Sequence, residues 1–260
     1  MSETKRDRAA PSDPAAAARA FADRGTTTSN RIAALVADAG LSCRFQSILS
    51  ASGEPYAELA FLSADIGDRV HGEAAILRTA RWAELLRAAA TFRARAVTEF
   101  SAAMGSSSKT LLYLPYYCAL SEVEAIGPPL GDLLQQHRLP PTRVICEVET
   151  PDDPSVATSV AKRLLWLHAV GVRVAVRVSS SLEAAAASLR TLSPDLVHIL
   201  CPPESLDDRE RYKALLAQAR AAGASAVMGG LDTPEAALAA EGLEVPLLYG
   251  ASVAPPRFLC

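Results

Sequence analysis

Ser42-Cys43-Arg44-Phe45-Gln46-Ser47-Ile48-Leu49-Ser50 is followed by Ala51-Ser52-Gly53-Glu54-Pro55 and then by Tyr56-Ala57-Glu58-Leu59-Ala60-Phe61-Leu62-Ser63. Two apolar-rich runs flank a short connection containing Gly and Pro. A parallel crossover needs about a dozen residues or more, so a connection this short joins antiparallel neighbours. The sheet opens with a hairpin.

Beyond the hairpin the rhythm changes. Trp82, Leu85, Leu86, Ala89, Ala96 and Phe100 mark one face of a long helix. Short apolar runs then recur at Thr110–Leu114, Arg143–Val148, Val172–Val178, Leu196–Leu200, Ser225–Met228 and Val245–Tyr249. Helical stretches fall between them, near Leu130–His137, Val156–Val170, Leu182–Leu192, Asp207–Ala222 and Pro234–Leu243. Strand starts spaced by roughly 20–30 residues have the period of a β-helix-β unit. Continuously apolar strands are buried on both faces, which indicates a parallel sheet covered by helices. Two hairpin strands and six more predict an α/β fold, a closed β/α barrel of the TIM-barrel type with an antiparallel opening strand. An open doubly wound sheet is the alternative.

Composition supports one sizeable core: of 260 residues, 50% are hydrophobic and 21% charged. With 26 basic and 29 acidic side chains the formal charge is -3, which argues against a partner recognised through a broad basic face, such as a nucleic-acid polymer. No apolar run approaches the roughly 18 to 20 residues that span a bilayer, so membrane insertion is not expected. The N-terminus lacks the apolar core of a secretory signal. Cys43, Cys118, Cys146, Cys201 and Cys260 are scattered and form no C-x-x-C pair, the pattern of reduced cysteines in a cytoplasmic interior. Residues 1–30 have almost no large apolar side chains and read as a flexible tail, or as a segment that orders on a partner. Ile32, Leu35 and Val36 begin a short helix ending at Gly40, and residues 31–260 form the barrel domain.

Functional groups of β/α barrels sit at the C-terminal ends of strands and in the loops that follow. The hairpin strands contribute Gln46 and Glu58. Strand three leads into the aromatic pair Tyr116-Tyr117. On strand four, Glu147 and Glu149 alternate with Cys146 and Val148, so the acids point one way and their neighbours the other. A carboxylate on a strand is costly to bury unpaired, which makes Glu147 a functional candidate. Arg177 ends an apolar strand and is either an anion clamp or a partner for Glu147. His198 is a ligand or a satisfied interior histidine. Gly229-Gly230 ahead of a helix forms a tight turn or a phosphate cradle. Tyr249 ends the last strand. His71, His137, His168 and His198 do not cluster, and there is no Walker A, G-x-S-x-G or H-E-x-x-H motif. No metal-ligating set emerges, and no cofactor is implied.

The order of these motifs resembles the EAL domain family of bacterial cyclic di-GMP phosphodiesterases. Phe45-Gln46-Ser47-Ile48 and Tyr56-Ala57-Glu58-Leu59-Ala60 resemble that family's Phe-Gln-Pro-Ile and Glu-Ala-Leu segments. Leu139-Pro140-Pro141-Thr142-Arg143-Val144-Ile145-Cys146-Glu147-Val148-Glu149-Thr150 resembles its Leu-Pro-Pro-x-Arg-Leu-x-Leu-Glu-Ile-Thr-Glu run. Leu167–Val176 resembles the passage before its Asp-Asp-Phe-Gly, Ser193–Ile199 its Pro-x-Asp-x-Val-Lys-Ile strand, and Met228–Thr233 its Ala-Glu-Gly-Val-Glu-Thr.

The resemblance implies a β/α barrel with one antiparallel strand. It also implies a hydrolase that uses two divalent metals held by acids and an Asn, with a Lys near the attacking water. Carried across, the metal-site acids fall on Glu58 and Glu147, the Asn on or beside Leu114, and the adjacent Asp pair on Arg177 and Val178. The Lys falls on His198, the strand-seven Glu on Gly229 and the late Gln on Tyr249. Glu58 and Glu147 are then vestiges of a metal set, and Arg177 is expected to serve both as counter-charge.

The expected function is that of a degenerate, non-catalytic regulatory member of cyclic di-GMP signalling acting by protein–protein interaction. A metal-independent cyclic di-GMP receptor is the alternative, with Gln46, Glu58, Glu147, Arg177, His198, Gly229, Gly230 and Tyr249 as candidate ligand contacts. An active phosphodiesterase is the third reading. The sequence names no protein partner and leaves homodimerisation open.

Overall fold

The computed structural model describes residues 41–66, 69–71, 75–76, 82–115, 129–149, 165–178, 189, 192–200 and 206–259. The tail expected over residues 1–30 and the helix from Ile32 to Gly40 lie outside these residues. So do most of the helix expected over Leu182–Leu192, the first half of Val156–Val170, Tyr116 and Tyr117.

The expected hairpin is β1 (Ser42–Ser50) and β2 (Pro55–Ile66), antiparallel in the register Gln46 to Leu59 and Ser47 to Glu58, with an irregularity between Ile48 and Leu49. A short β3 (Arg69–His71) pairs antiparallel with the far end of β2. Three residues carry too little periodicity for the sequence to have indicated it. Next come helix α1 (Trp82–Met104), β4 (Leu111–Leu114), α2 (Leu130–Gln136) and β5 (Val144–Glu149). The chain continues through β6 (Arg173–Val178), β7 (Leu196–Leu200), α3 (Leu206–Ala221), β8 (Ser225–Gly229), α4 (Pro234–Ala240) and β9 (Leu247–Leu248).

Strands β2, β4, β5, β6, β7, β8 and β9 run parallel in that spatial order, and β1 closes the ring by pairing antiparallel with both β2 and β9. The result is a closed eight-stranded barrel with one reversed strand, and the open-sheet alternative is set aside.

Alternation along the strands builds two apolar surfaces. Outside, Phe92, Ala96 and Phe100 of α1 pack with Leu112, Leu114, Val144, Cys146, Val148, Val174 and Val176. Inside, Ile48, Ala57, Leu59, Leu111, Ile145, Ala175, Leu196, Val227 and Leu247 fill the lumen. Buried Arg143 fixes the turn between α1 and β4, donating to the carbonyls of Gly105 at 2.8 Å and Thr110 at 3.0 Å.

Candidate functional site

The lumen positions nearest the C-terminal ends of the parallel strands are Tyr113, Glu147, Arg177, His198, Gly229 and Tyr249. Ladder register puts them on one surface: Leu59 is level with Tyr113, Glu147 with Ala175, Arg177 with His198, and His198 with Val227. Five of the expected residues, Glu147, Arg177, His198, Gly229 and Tyr249, therefore share it. Glu147 and His198 are each 1% exposed, so their polar atoms must find partners within the protein.

All but one do, since Glu147 Oε1 accepts no hydrogen bond among the described residues. Tyr113 Oη donates to Glu147 Oε2 at 2.6 Å, and His198 Nδ1 reaches the same oxygen. Arg177 Nε lies 3.3 Å from Glu147 Oε1. His198 Nε2 lies 2.7 Å from Tyr249 Oη, and the His198 ring stands edge-on to Tyr113 with centroids 5.8 Å apart. An ionised carboxylate only accepts, so Nδ1 carries the proton between His198 and Glu147. Burial by itself would raise the Glu147 pKa. The charges of His198 and Arg177, with hydrogen bonds from His198 and Tyr113, outweigh it and hold the group at about 2. Tyr113, buried beside that carboxylate, is pushed well above the usual phenol range and stays a donor.

Gly229 has a steric explanation. A Cβ there would lie 2.1 Å from Tyr249 Cζ and 2.3 Å from its Oη, so the tyrosine ring occupies the volume that a side chain at 229 would need. Tyr249 is set in place by its own N–H on Met228 O at 3.0 Å. Gly230 follows at φ 78°, and three residues separate it from α4, whose first turn is capped by Thr233 Oγ1 accepting from Ala236 N at 3.2 Å. The glycine pair thus makes a turn and a place for a ring.

The hairpin acid is elsewhere. Glu58 is level with Leu112 and Ser47, on the surface opposite to Ala57, Leu59 and Tyr113. Its Oε1 accepts from Ser47 Oγ at 2.9 Å and from Arg257 Nη2 at 2.6 Å. The expectation that Arg177 neutralises both acids is corrected here: Arg177 meets Glu147, and Arg257 meets Glu58. One step of register divides them, and a motif read as a string does not reveal which way the string faces. Gln46 faces the turn after β9, its Nε2 donating to Ala254 O at 2.9 Å. The backbone of Glu149 ends β5, while its side chain lies outside the described residues.

Sequence reasoning missed Tyr113, Ser47 and Arg257. A tyrosine inside the apolar run Leu111-Leu112-Tyr113-Leu114 was the available signal for the first, because a buried phenol needs a hydrogen-bond partner.

The donor set does not fit the two divalent metals that the resemblance implies. Such ions want several anionic oxygens within one small volume. Among the described residues the one lumen carboxylate, Glu147, is hydrogen-bonded by a phenol and an imidazole and paired with a guanidinium, and Glu58 faces away. Among the described residues no group of three or more His, Cys, Asp or Glu could hold a metal ion. What the arrangement can do is hold a charge-compensated plug at the barrel mouth.

Comparison with known proteins agrees with the fold. The sequence model described as EAL domain matches residues 29–256. Three solved structures are similar over their nearly complete length. A PaMucR phosphodiesterase in complex with cyclic di-GMP matches with TM-score 0.67 and 19% identity, covering 84% of this chain and 92% of that one. The Xanthomonas citri FimX EAL domain in complex with cyclic di-GMP gives 0.64 and 16%, covering 92% and 96%. The EAL domain of Mycobacterium smegmatis DcpA gives 0.64 and 20%, covering 84% and 93%. At these identities the likeness speaks for the barrel alone. No curated protein matches the sequence significantly.

Proposed function

The chain belongs to the EAL domain family, linked to cyclic di-GMP signalling, and we propose that it is a non-catalytic regulatory member acting through contacts with another protein. The observation that carries the reading is the state of Glu147: its carboxylate is bound by Tyr113 and His198 and paired with Arg177, 3.3 Å away. A metal ion would have to displace a guanidinium and an imidazole from a buried acid, which opposes metal binding on electrostatic grounds. Tyr249 adds a steric reason, filling the space beside Gly229 where the resemblance puts a further acid.

In this reading residues 31–260 form one barrel domain behind the tail of residues 1–30. Among the described residues no helix is long and apolar enough to cross a membrane, which suits a partner met in solution. A metal-independent receptor for cyclic di-GMP remains the second reading, favoured by Arg177, a cation with 12% exposure on the lumen surface.

The test is chromatographic. The full chain is incubated with cyclic di-GMP and either Mg²⁺ or Mn²⁺, and the linear dinucleotide is sought. None is expected, and metal-dependent product would refute the non-catalytic assignment.

A further inference from the structure

Strand β1 makes a long ladder with β2 but meets β9 only at Leu49 and Ser50. Among the described residues the rest of that outer edge is bridged at one point, Phe45 to Arg257, by hydrogen bonds of 2.8 Å in each direction. The preceding Pro255 and Pro256 have no N–H to add to a ladder. Their neighbours do the binding. Arg257 reaches Glu58 Oε1 at 2.6 Å and Ser47 Oγ at 2.7 Å, and the Phe258 ring lies 4.3 Å from the Arg44 guanidinium. Arg44 is itself held by Asp65 at 3.0 Å.

The two sides of this contact are unequal. The receiving side is built and buried: Glu58 is 2% exposed, and its Oε2 has no hydrogen-bond partner among the described residues. The occupying side is half in water, with the Arg257 side chain 45% and Phe258 46% exposed. A buried carboxylate with one oxygen unfilled has capacity for another donor, and a guanidinium fork that meets both oxygens would supply it. Strand addition to a sheet edge, with a pocket for one anchoring side chain, is a general way of binding extended peptides.

We propose that the β1 edge from Ser42 to Ile48, floored by Glu58, is a docking site for an extended segment of a partner protein carrying an arginine followed by an aromatic residue. Arg257 and Phe258 occupy the site in cis until such a segment displaces them. This rests on the partner-binding reading given above and adds the place and chemistry of the contact.

The probe is a fluorescent peptide with the chain's own sequence from Gly250 to Leu259, offered in trans to the full-length protein and read by anisotropy. Cis occupancy lowers apparent affinity by the fraction of open sites. Arg257→Ala is therefore expected to bind the peptide at least about tenfold more tightly than the unmutated protein. Adding Glu58→Gln is expected to abolish the gain, as is alanine at the arginine position of the peptide. Equal affinity for the unmutated protein and Arg257→Ala, or a gain that survives Glu58→Gln, would overturn the proposal.

Hydrogen exchange on the unmutated chain covers the case of a variant that does not fold. The Phe45 and Arg257 amides are expected to exchange at least about tenfold faster than those of Leu112 and Val174. Equal protection would make the segment part of the core and overturn the idea. A dimer that Arg257→Ala converts to monomer would put a second copy in the site and overturn the partner assignment. Nucleotide hydrolysis, by contrast, would refute the non-catalytic reading without changing peptide binding.

Discussion

Replacing Glu147 by Gln removes the charge on which the lumen network converges while keeping its shape. The folded protein holds this carboxyl at about 2, against an ordinary value of 4.5. A gap of about 2.5 units corresponds to roughly 3 kcal/mol favouring the folded state when the group is ionised. Because the folded value is the lower one, this contribution is complete above about pH 4.5 and disappears as pH falls toward 2. At pH 7 the substitution leaves Arg177 and His198 facing a neutral amide, a loss of about 3–5 kcal/mol for breaking a buried pair. Toward pH 3 the unmutated protein loses its own advantage, and the difference between the two narrows by about 2 kcal/mol. Urea unfolding of both proteins at several pH values between 7 and 3 measures this directly. A difference that stays constant, or widens toward acid, would refute the assignment of Glu147 as the buried, ionised centre.

Three further outcomes follow from the same network. Gly229→Ala drives a methyl into the Tyr249 ring and is expected to cost about 1–3 kcal/mol. In a double-mutant cycle with Tyr249→Ala, the two losses should fall well short of additive, and simple additivity would separate the positions. Arg177→Ala should lower stability at neutral pH by about 3–5 kcal/mol. The thermal midpoint of the unmutated protein should not move on adding Mg²⁺ or EDTA, and a metal-dependent rise would contradict the charge compensation described for Glu147.

The barrel was legible in the sequence because its strands are apolar on both faces and its helices lie at regular intervals between them. The hairpin announced itself through the shortness of Ala51–Pro55. The β-strand Arg69–His71 left no such mark, and the run Val245–Tyr249 narrowed to a two-residue strand at Leu247–Leu248 because the barrel closes there against β1 for only two pairs. Within the site, the alternation of Cys146, Glu147 and Val148 set Glu147 on the face opposite its neighbours without saying which face is the lumen, and the pairing of Arg177 with it was among the expected alternatives. Glu58 was harder. The one-residue register that turns it away from Tyr113 depends on contacts between strands distant in sequence. Arg257, nearly two hundred residues from Glu58, carries no local signal of its partner.

The most direct test of the charge compensation described for the lumen is calorimetric titration of the full chain with cyclic di-GMP, first with Mg²⁺ or Mn²⁺ and then with EDTA. The account predicts no metal-dependent heat. Equal binding in both buffers would select the metal-independent receptor over the partner-binding protein and leave the lumen chemistry intact. Binding that appears only with the divalent ion would contradict the account at its centre.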